Sequence, residues 1–330
     1  MRRAILLRVT VLAWVAQAMG GVACAVGPDK PAAGPDVLVA TVGDDPIYAR
    51  HVDRVLEQVA GSREVNPAVL PVVKAQVLDE IIDHRLVLAY ARRTGTGAAP
   101  AQIDAALEAM VARLTAQKRS LADELAKRGI TQRDLRRQIA WNLTWPKYLA
   151  RYISEARLEQ HFAAHRREFD GTELAVSHVL LAPPPGAGAD AIKELVKRAE
   201  AIRRQIDSGE LTFEEAARDY SSGPSREQGG RLGFIARHGS MVESFSRAAF
   251  ALGRGQISRP VTTPFGVHLI RVDEIRPGEK QLADVREQVE DSLARELTRK
   301  LADHERARTP VKFTGRGPYF QPGTRQLVVP

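Results

Sequence analysis

Two strand-like runs, far apart in the chain, constrain its fold more than any other feature. "TELAVSHVLLAPP" (Thr172–Pro184) and "FGVHLIRVDEI" (Phe265–Ile275) are almost continuously apolar, and each carries one histidine, His178 and His268. Runs of this kind read as buried strands, so the pair calls for a small sheet covered by helices. The period of two puts His178 on the face of Leu180, and His268 on the face of Ile270 and Val272. A buried imidazole of this sort is first of all a core residue with both ring nitrogens in hydrogen bonds. Zinc is poorly supported, because no cysteine or recurrent acidic partner completes a ligand set. A serine hydrolase is poorly supported too, since there is no G-x-S-x-G elbow.

The segments between the two runs alternate. A Pro/Gly loop leads to a helix over about 189–208, with Leu195, Ala199, Ile202 and Ile206 on one face. "LTFEEAARDY" opens with Thr212 and Glu215 spaced as a capping box. A Ser/Gly-rich loop and the short strand "RLGFIA" follow, then a helix expected to start at Ser240 with Glu243 as a second capping box. The order β-α-α-β-α-β fills residues 172–275.

Residues 37–171 read as mainly helical. "VLVATVGDDPIYARHVDRVLEQV" predicts a strand, a turn at Gly43-Asp44-Asp45-Pro46 and a helix. Further helices are expected over about 70–93 (Leu78, Ile82, Leu86), around Leu107 and Leu114, from Thr131 onward, and over 154–169 with Leu158 and Phe162 inward. Residues 276–330 hold a long helix, with Val285, Val289 and Leu293 at four-residue steps, and a strand in "VKFTG" without a local partner. Pairing of that strand with "VLVATV" would bring the two ends of the chain together.

The front end reads as a leader. Arg2, Arg3 and Arg8 precede the apolar stretch "VTVLAWVA", and "ACA" ends at Ala25, so residues 1–25 are expected to be a signal peptide and 26–36 a linker. Cys24, the only cysteine, would leave with the leader; lipidation at Cys24 or a retained leader is the alternative. Those three arginines also account for part of the formal charge of +8, and the remainder is spread thinly. Nucleic acid, which demands a concentrated basic patch, is therefore not an expected partner.

Residues 172–275 resemble the parvulin-type peptidyl-prolyl cis/trans isomerases. The stretches that carry the resemblance are "VSHVLL", "LTFEEAARDYS", "GPSREQGGRLGF", "MVESFSRAAFALGRGQISRPV" and "TPFGVHLIRV", in family order. The whole architecture resembles the periplasmic SurA/PpiD/PrsA group, whose usual opening is similar to "VATVGDDPIYARHVDRVL". The resemblance implies an α+β fold: a parvulin-like small antiparallel sheet covered by helices, attached to a mainly helical SurA-like chaperone domain, with 276–330 packing on the latter. It implies that His178 and His268 are the paired core histidines and Thr263 the hydroxyl beside the closing strand. Leu232, Met241 and Phe245 become the wall of a proline pocket, extended by Phe265. One departure stands out: Gly223, in "YSSGPS", occupies the place where many relatives carry aspartate or cysteine, so Ser222 or Tyr220 is left to supply polarity. Arg231 replaces a frequent aspartate in "GGRLG", as a rim residue favouring acidic sequence or as a solvated surface group.

The expectations that follow are an isomerase and folding chaperone for exported proteins, without cofactor or metal, in the periplasm. Its partners would be unfolded or partly folded exported polypeptides with X-Pro bonds. A membrane enters only through a retained leader or a lipidated Cys24, which would anchor the protein facing the periplasm. The alternative reading is a holdase or peptide-binding accessory protein with a weak or inactive isomerase unit.

Overall fold

The computed structural model describes residues 36–60, 67, 69–184, 190–323 and 327–329. The expected signal peptide, Cys24 and all of the expected linker except Asp36 lie outside the described residues.

Strands β1 (Leu38–Val42) and β2 (Asp45–Tyr48) form a hairpin. Its turn is tighter than the sequence suggests, because Gly43 takes a φ of +55°, open to glycine, and Val42 already pairs with Asp45. Asp45 and Pro46 thus begin β2 rather than end the turn. Proline is tolerated there because β2 is an edge strand. Helices α1 (Ala49–Ala60), α2 (Leu70–Arg93), α3 (Pro100–Ala116), α4 (Leu121–Lys127), α5 (Gln132–Tyr152), α6 (Glu155–Ala164) and α7 (Arg166–Phe169) follow. Thr131 and Asp134 cap α5 reciprocally, and Ser154 accepts from Arg157 N at the start of α6. His165 is not helical, which divides the run expected over 154–169 into α6 and α7.

The second part of the molecule contains β3 (Glu173–Leu181), α8 (Asp190–Asp207), α9 (Phe213–Tyr220), β4 (Arg231–Ala236), α10 (Glu243–Phe250), β5 (Val261–Thr263) and β6 (Gly266–Arg276). The four strands form an antiparallel sheet in the order β4-β3-β6-β5. In the central pair, His178 faces Ile270 and Leu180 faces His268, so both histidines lie on one face. Leu174, Val176, Ile270 and Val272 on that face pack with Phe245 and Phe250 of α10. On the other face, Val179, Leu181, Val267 and Leu269 pack with Ile192, Ala199 and Ile202 of α8 and with Phe213 and Ala216 of α9. Cover on both sides explains why the two runs show so little polar alternation.

The second expected capping box does not form. Helix α10 begins at Glu243 behind Val242, while Ser240 Oγ accepts from Ala236 N and the Glu243 carboxylate binds Arg237. A buried guanidinium offers Glu243 two charge-assisted bonds, a stronger attraction than one exposed backbone N–H.

Helix α11 (Leu282–Arg306) packs along α2 and α6, and β7 (Val311–Phe313) pairs antiparallel with β1, Ala40 opposite Phe313. Short strands β8 (Tyr319–Phe320) and β9 (Leu327–Val328) pair with each other. The core of this helical body joins Val39, Ile47, Leu78, Ile82, Leu86, Trp141, Trp145 and Leu297. Glu305, 1% exposed, is held there by Arg93 at 2.8 Å and by the Thr309 hydroxyl at 2.9 Å. The sheet unit enters and leaves through one crossing: Lys280 N donates to Asp170 O at 2.8 Å and Gly278 N to Thr172 Oγ1 at 3.2 Å. A Cβ at Gly278 would stand 2.1 Å from Asp170 O, so only glycine fits. No described helix is long and apolar enough to cross a membrane.

Candidate active site

The two central strands bring His178 and His268 together. Their Nδ1 atoms are 3.2 Å apart, and the residues are 6% and 4% exposed. Thr263, buried at the end of β5, holds its Oγ1 2.8 Å from His268 Nε2 and accepts from Phe265 N at 3.1 Å. Burial takes His178 down to about 4 and His268 down to about 3, with His178 adding to the second shift. Both rings are therefore uncharged at neutral pH. Two neutral imidazoles meeting at Nδ1 must hold opposite tautomers, one donating and one accepting. Thr263 already accepts from Phe265, and its contact with Gly266 O at 3.5 Å is too long to compete. We therefore assign the direction Thr263 to His268 to His178, which leaves His178 Nε2 as a donor.

That Nε2 is buried and has no partner among the described residues. It faces Gly223, where a Cβ would stand only 3.0 Å away. The glycine that departs from the family pattern thus sits against the imidazole edge. An aspartate or cysteine there would require the ring or the loop to move. Gly230 shows the same economy of space: at φ +82° it accepts from His178 N at 2.8 Å, and a Cβ would approach His178 O to 2.3 Å. This is the physical demand behind "GG" in the loop.

Phe245 closes the site from α10. Its ring meets His268 edge-on at 5.4 Å between centroids and His178 at 6.0 Å. Leu232 and Met241 pack on the same cluster and are half-buried, whereas Phe245 itself is only 2% exposed. Phe265, by contrast, is 59% exposed, held at its backbone by Thr263. The expected wall therefore divides into one buried ring, a half-buried rim and one solvent-facing ring. Ser222 is exposed and tied by its backbone to Leu180 O; Tyr220 packs into the opposite cluster, beneath Arg198. Arg231 is exposed. The sequence reasoning passed over Ser221, whose buried Oγ accepts from Leu180 N at 3.1 Å and Gly223 N at 3.2 Å and so pins the loop against β3. A serine directly after a helix, followed by Ser-Gly-Pro, was the available signal. A cleft of about 450 Å³ lies between α2, α10 and β5, lined by Val72, Gln76, Arg247 and Phe320 among others, and none of the expected site residues lines it.

Comparison with known proteins matches the two parts of the chain separately. Residues 178–274 match the family described as the PPIC-type PPIase domain, so the sheet unit is of the parvulin class. Residues 2–149 match the SurA-like N-terminal domain. The two matches follow one another along the chain, the SurA-like N-terminal domain first and the PPIC-type PPIase domain after it. The chain is similar to the chaperone SurA of Saccharophagus degradans, 24% identical over 264 residues, which is 76% of this chain and 60% of that protein. The chaperone SurA of Alkalilimnicola ehrlichii is 26% identical over 260 residues, again 76% of this chain and 60% of the relative. The chain thus spans about 60% of the length of these curated relatives. Among solved structures, the peptidylprolyl isomerase PrsA of Bacillus anthracis aligns over 70% of this chain and 95% of its own, at 24% identity and a TM-score of 0.36.

Proposed function

We propose that this protein catalyses cis/trans isomerisation of X-Pro bonds in non-native exported polypeptides in the periplasm, and holds those chains as a chaperone. The observation that carries the reading is the chain from Thr263 through His268 to His178, roofed by the Phe245 ring. Rotation about a prolyl amide faces a barrier of about 18–20 kcal/mol, because resonance must be lost, although cis and trans differ by only about 0.5–1 kcal/mol. No proton need move. The site has only to prefer the twisted amide, at about 1.36 kcal/mol per tenfold in rate.

Leu232, Met241 and Phe265 would grip the proline ring and exclude the water that stabilises the planar amide. The neutral histidines keep the floor beneath it uncharged and fix its polarity. His178 Nε2–H, beside Gly223, would be the polar group nearest the turning carbonyl. Because Phe245 is almost sealed, its ring and the Met241 side chain must shift for a proline to reach the floor.

Protease-coupled isomerisation of an X-Pro tetrapeptide by the full chain tests the reading. Met241→Ala, at the half-buried rim, should lower kcat/KM about tenfold, and Phe245→Leu should lower it further. A second reading, a holdase with a silent isomerase unit, is favoured by Gly223 and by the closed Phe245. Background isomerisation together with undiminished suppression of client aggregation would establish it and end the enzymatic one.

A further inference from the structure

Away from the sheet, a second group of imidazoles stands where α6 meets α11. His161 lies on α6 and His165 at its C-terminal cap, four residues on and so on the same side. Their ring centroids are 4.5 Å apart. Glu296 reaches them from α11, and one ring nitrogen of each histidine and one Glu296 carboxylate oxygen all lie within 4.8 Å of one another. His161 is 7% exposed, Glu296 is half-buried and His165 is exposed.

We infer that His161, His165 and Glu296 form a binding site for one zinc ion, which clamps α11 onto α6. Two imidazoles and a carboxylate are a zinc donor set, leaving a fourth position for water. The surrounding groups fit as well as the donors. Glu168 accepts from His165 Nδ1 at 3.2 Å, an arrangement that leaves Nε2 with its lone pair. His161 lies between Glu296 Oε2 at 3.2 Å and Ser292 Oγ at 3.1 Å. A hydroxyl can donate or accept, so Ser292 supports either tautomer as Nδ1 exchanges its proton for the metal. Zinc bonds of about 2.0–2.1 Å place tetrahedral ligands about 3.4 Å apart. His161 Nδ1 and Glu296 Oε2 already stand 3.2 Å apart, so the contraction that binding needs falls to the exposed His165 side chain.

One group opposes binding. The Lys300 ammonium pairs with Glu296 Oε1, while Oε2 is the oxygen turned to His161. Metal and lysine would share the carboxylate, and the lysine charge would weaken the ion's hold. This makes the site adjustable from one surface position.

The test uses the full chain stripped with chelator and titrated with zinc chloride by calorimetry, with cobalt(II) absorption as a report of tetrahedral coordination. Saturable one-to-one binding at micromolar concentration or tighter is expected, with a rise in Tm when zinc is present. His165→Ala and Glu296→Gln, both at accessible positions, should each weaken binding at least about tenfold. Lys300→Ala should tighten it several-fold. No saturable binding up to about 100 μM zinc, or unchanged affinity in the His165→Ala and Glu296→Gln proteins, would overturn the assignment.

Discussion

The sheet unit and the helical body solve the same packing problem with opposite economies of sequence. Every strand of the sheet comes from one continuous stretch, Glu173 to Arg276, and the polar groups at its centre, His178 Nε2 apart, satisfy one another within a few ångströms. The body is assembled from segments on either side of the sheet unit: β1 pairs with β7, Glu305 binds Arg93, and Arg306 reaches Asp83. Locality governs what each region is exposed to. The sheet depends on two imidazoles staying neutral, and the body on distant segments staying attached.

Acidification should separate the two regions most. His178 and His268 ordinarily titrate near 6.5 but are held at about 4 and about 3. The unfolded chain therefore takes up protons that the folded sheet refuses, and stability falls as pH drops below 6.5 until it levels near the folded values. Between pH 7 and 5 each ring should cost about 2 kcal/mol. In the body, His84, held at about 4 by burial, acts in the same direction. Asp83, pushed up to about 6 chiefly by burial, acts in the other, because the folded state takes its proton first. Trp141 and Trp145 report on the body alone, and histidine NMR signals report on the sheet. A fluorescence midpoint that fell as far as the histidine signals would erase the contrast.

Lys312→Pro strikes the body from the opposite direction. Lys312 is exposed but sits at the centre of β7 opposite Thr41. Proline there cannot donate to the ladder, a loss of about 3 kcal/mol. The tryptophan-monitored Tm should fall by roughly 6–12 °C, with the His178 and His268 signals unmoved. The smallest effect belongs to the junction, where Arg237 joins Glu168 of the body to Glu243 of α10. Glu168 is half-buried and Glu243 exposed, so Arg237→Ala should cost about 1 kcal/mol and show mainly as a wider gap between the two denaturation midpoints.

The same contrast decides what could be read from the amino acids. The sheet's two histidine strands, the Thr212–Glu215 cap and the demand for Gly230 all arise from neighbours close in sequence or from a recognisable loop. Strand β5 was missed because three residues, "VTT", carry no period of their own; they become a strand only beside His268 and Val267. Ser240 looked like a cap because its spacing to Glu243 is right, and only the buried Arg237 shows why that carboxylate turns elsewhere. In the site, the identities of the residues were legible but their exposures were not. Nothing in "ESFSRAAF" distinguishes a sealed Phe245 from an open one. The His161–Glu296 contact joins residues more than a hundred positions apart and had no local trace.

The pairing of β7 with β1 has a consequence in time. A polypeptide made amino end first ordinarily completes its earlier portions first. Here β1 waits on one edge until β7 has been made, while the sheet, made between the two, already has all its strands. Maturation should run from the sheet to the body, which is finished only when α11 and β7 arrive.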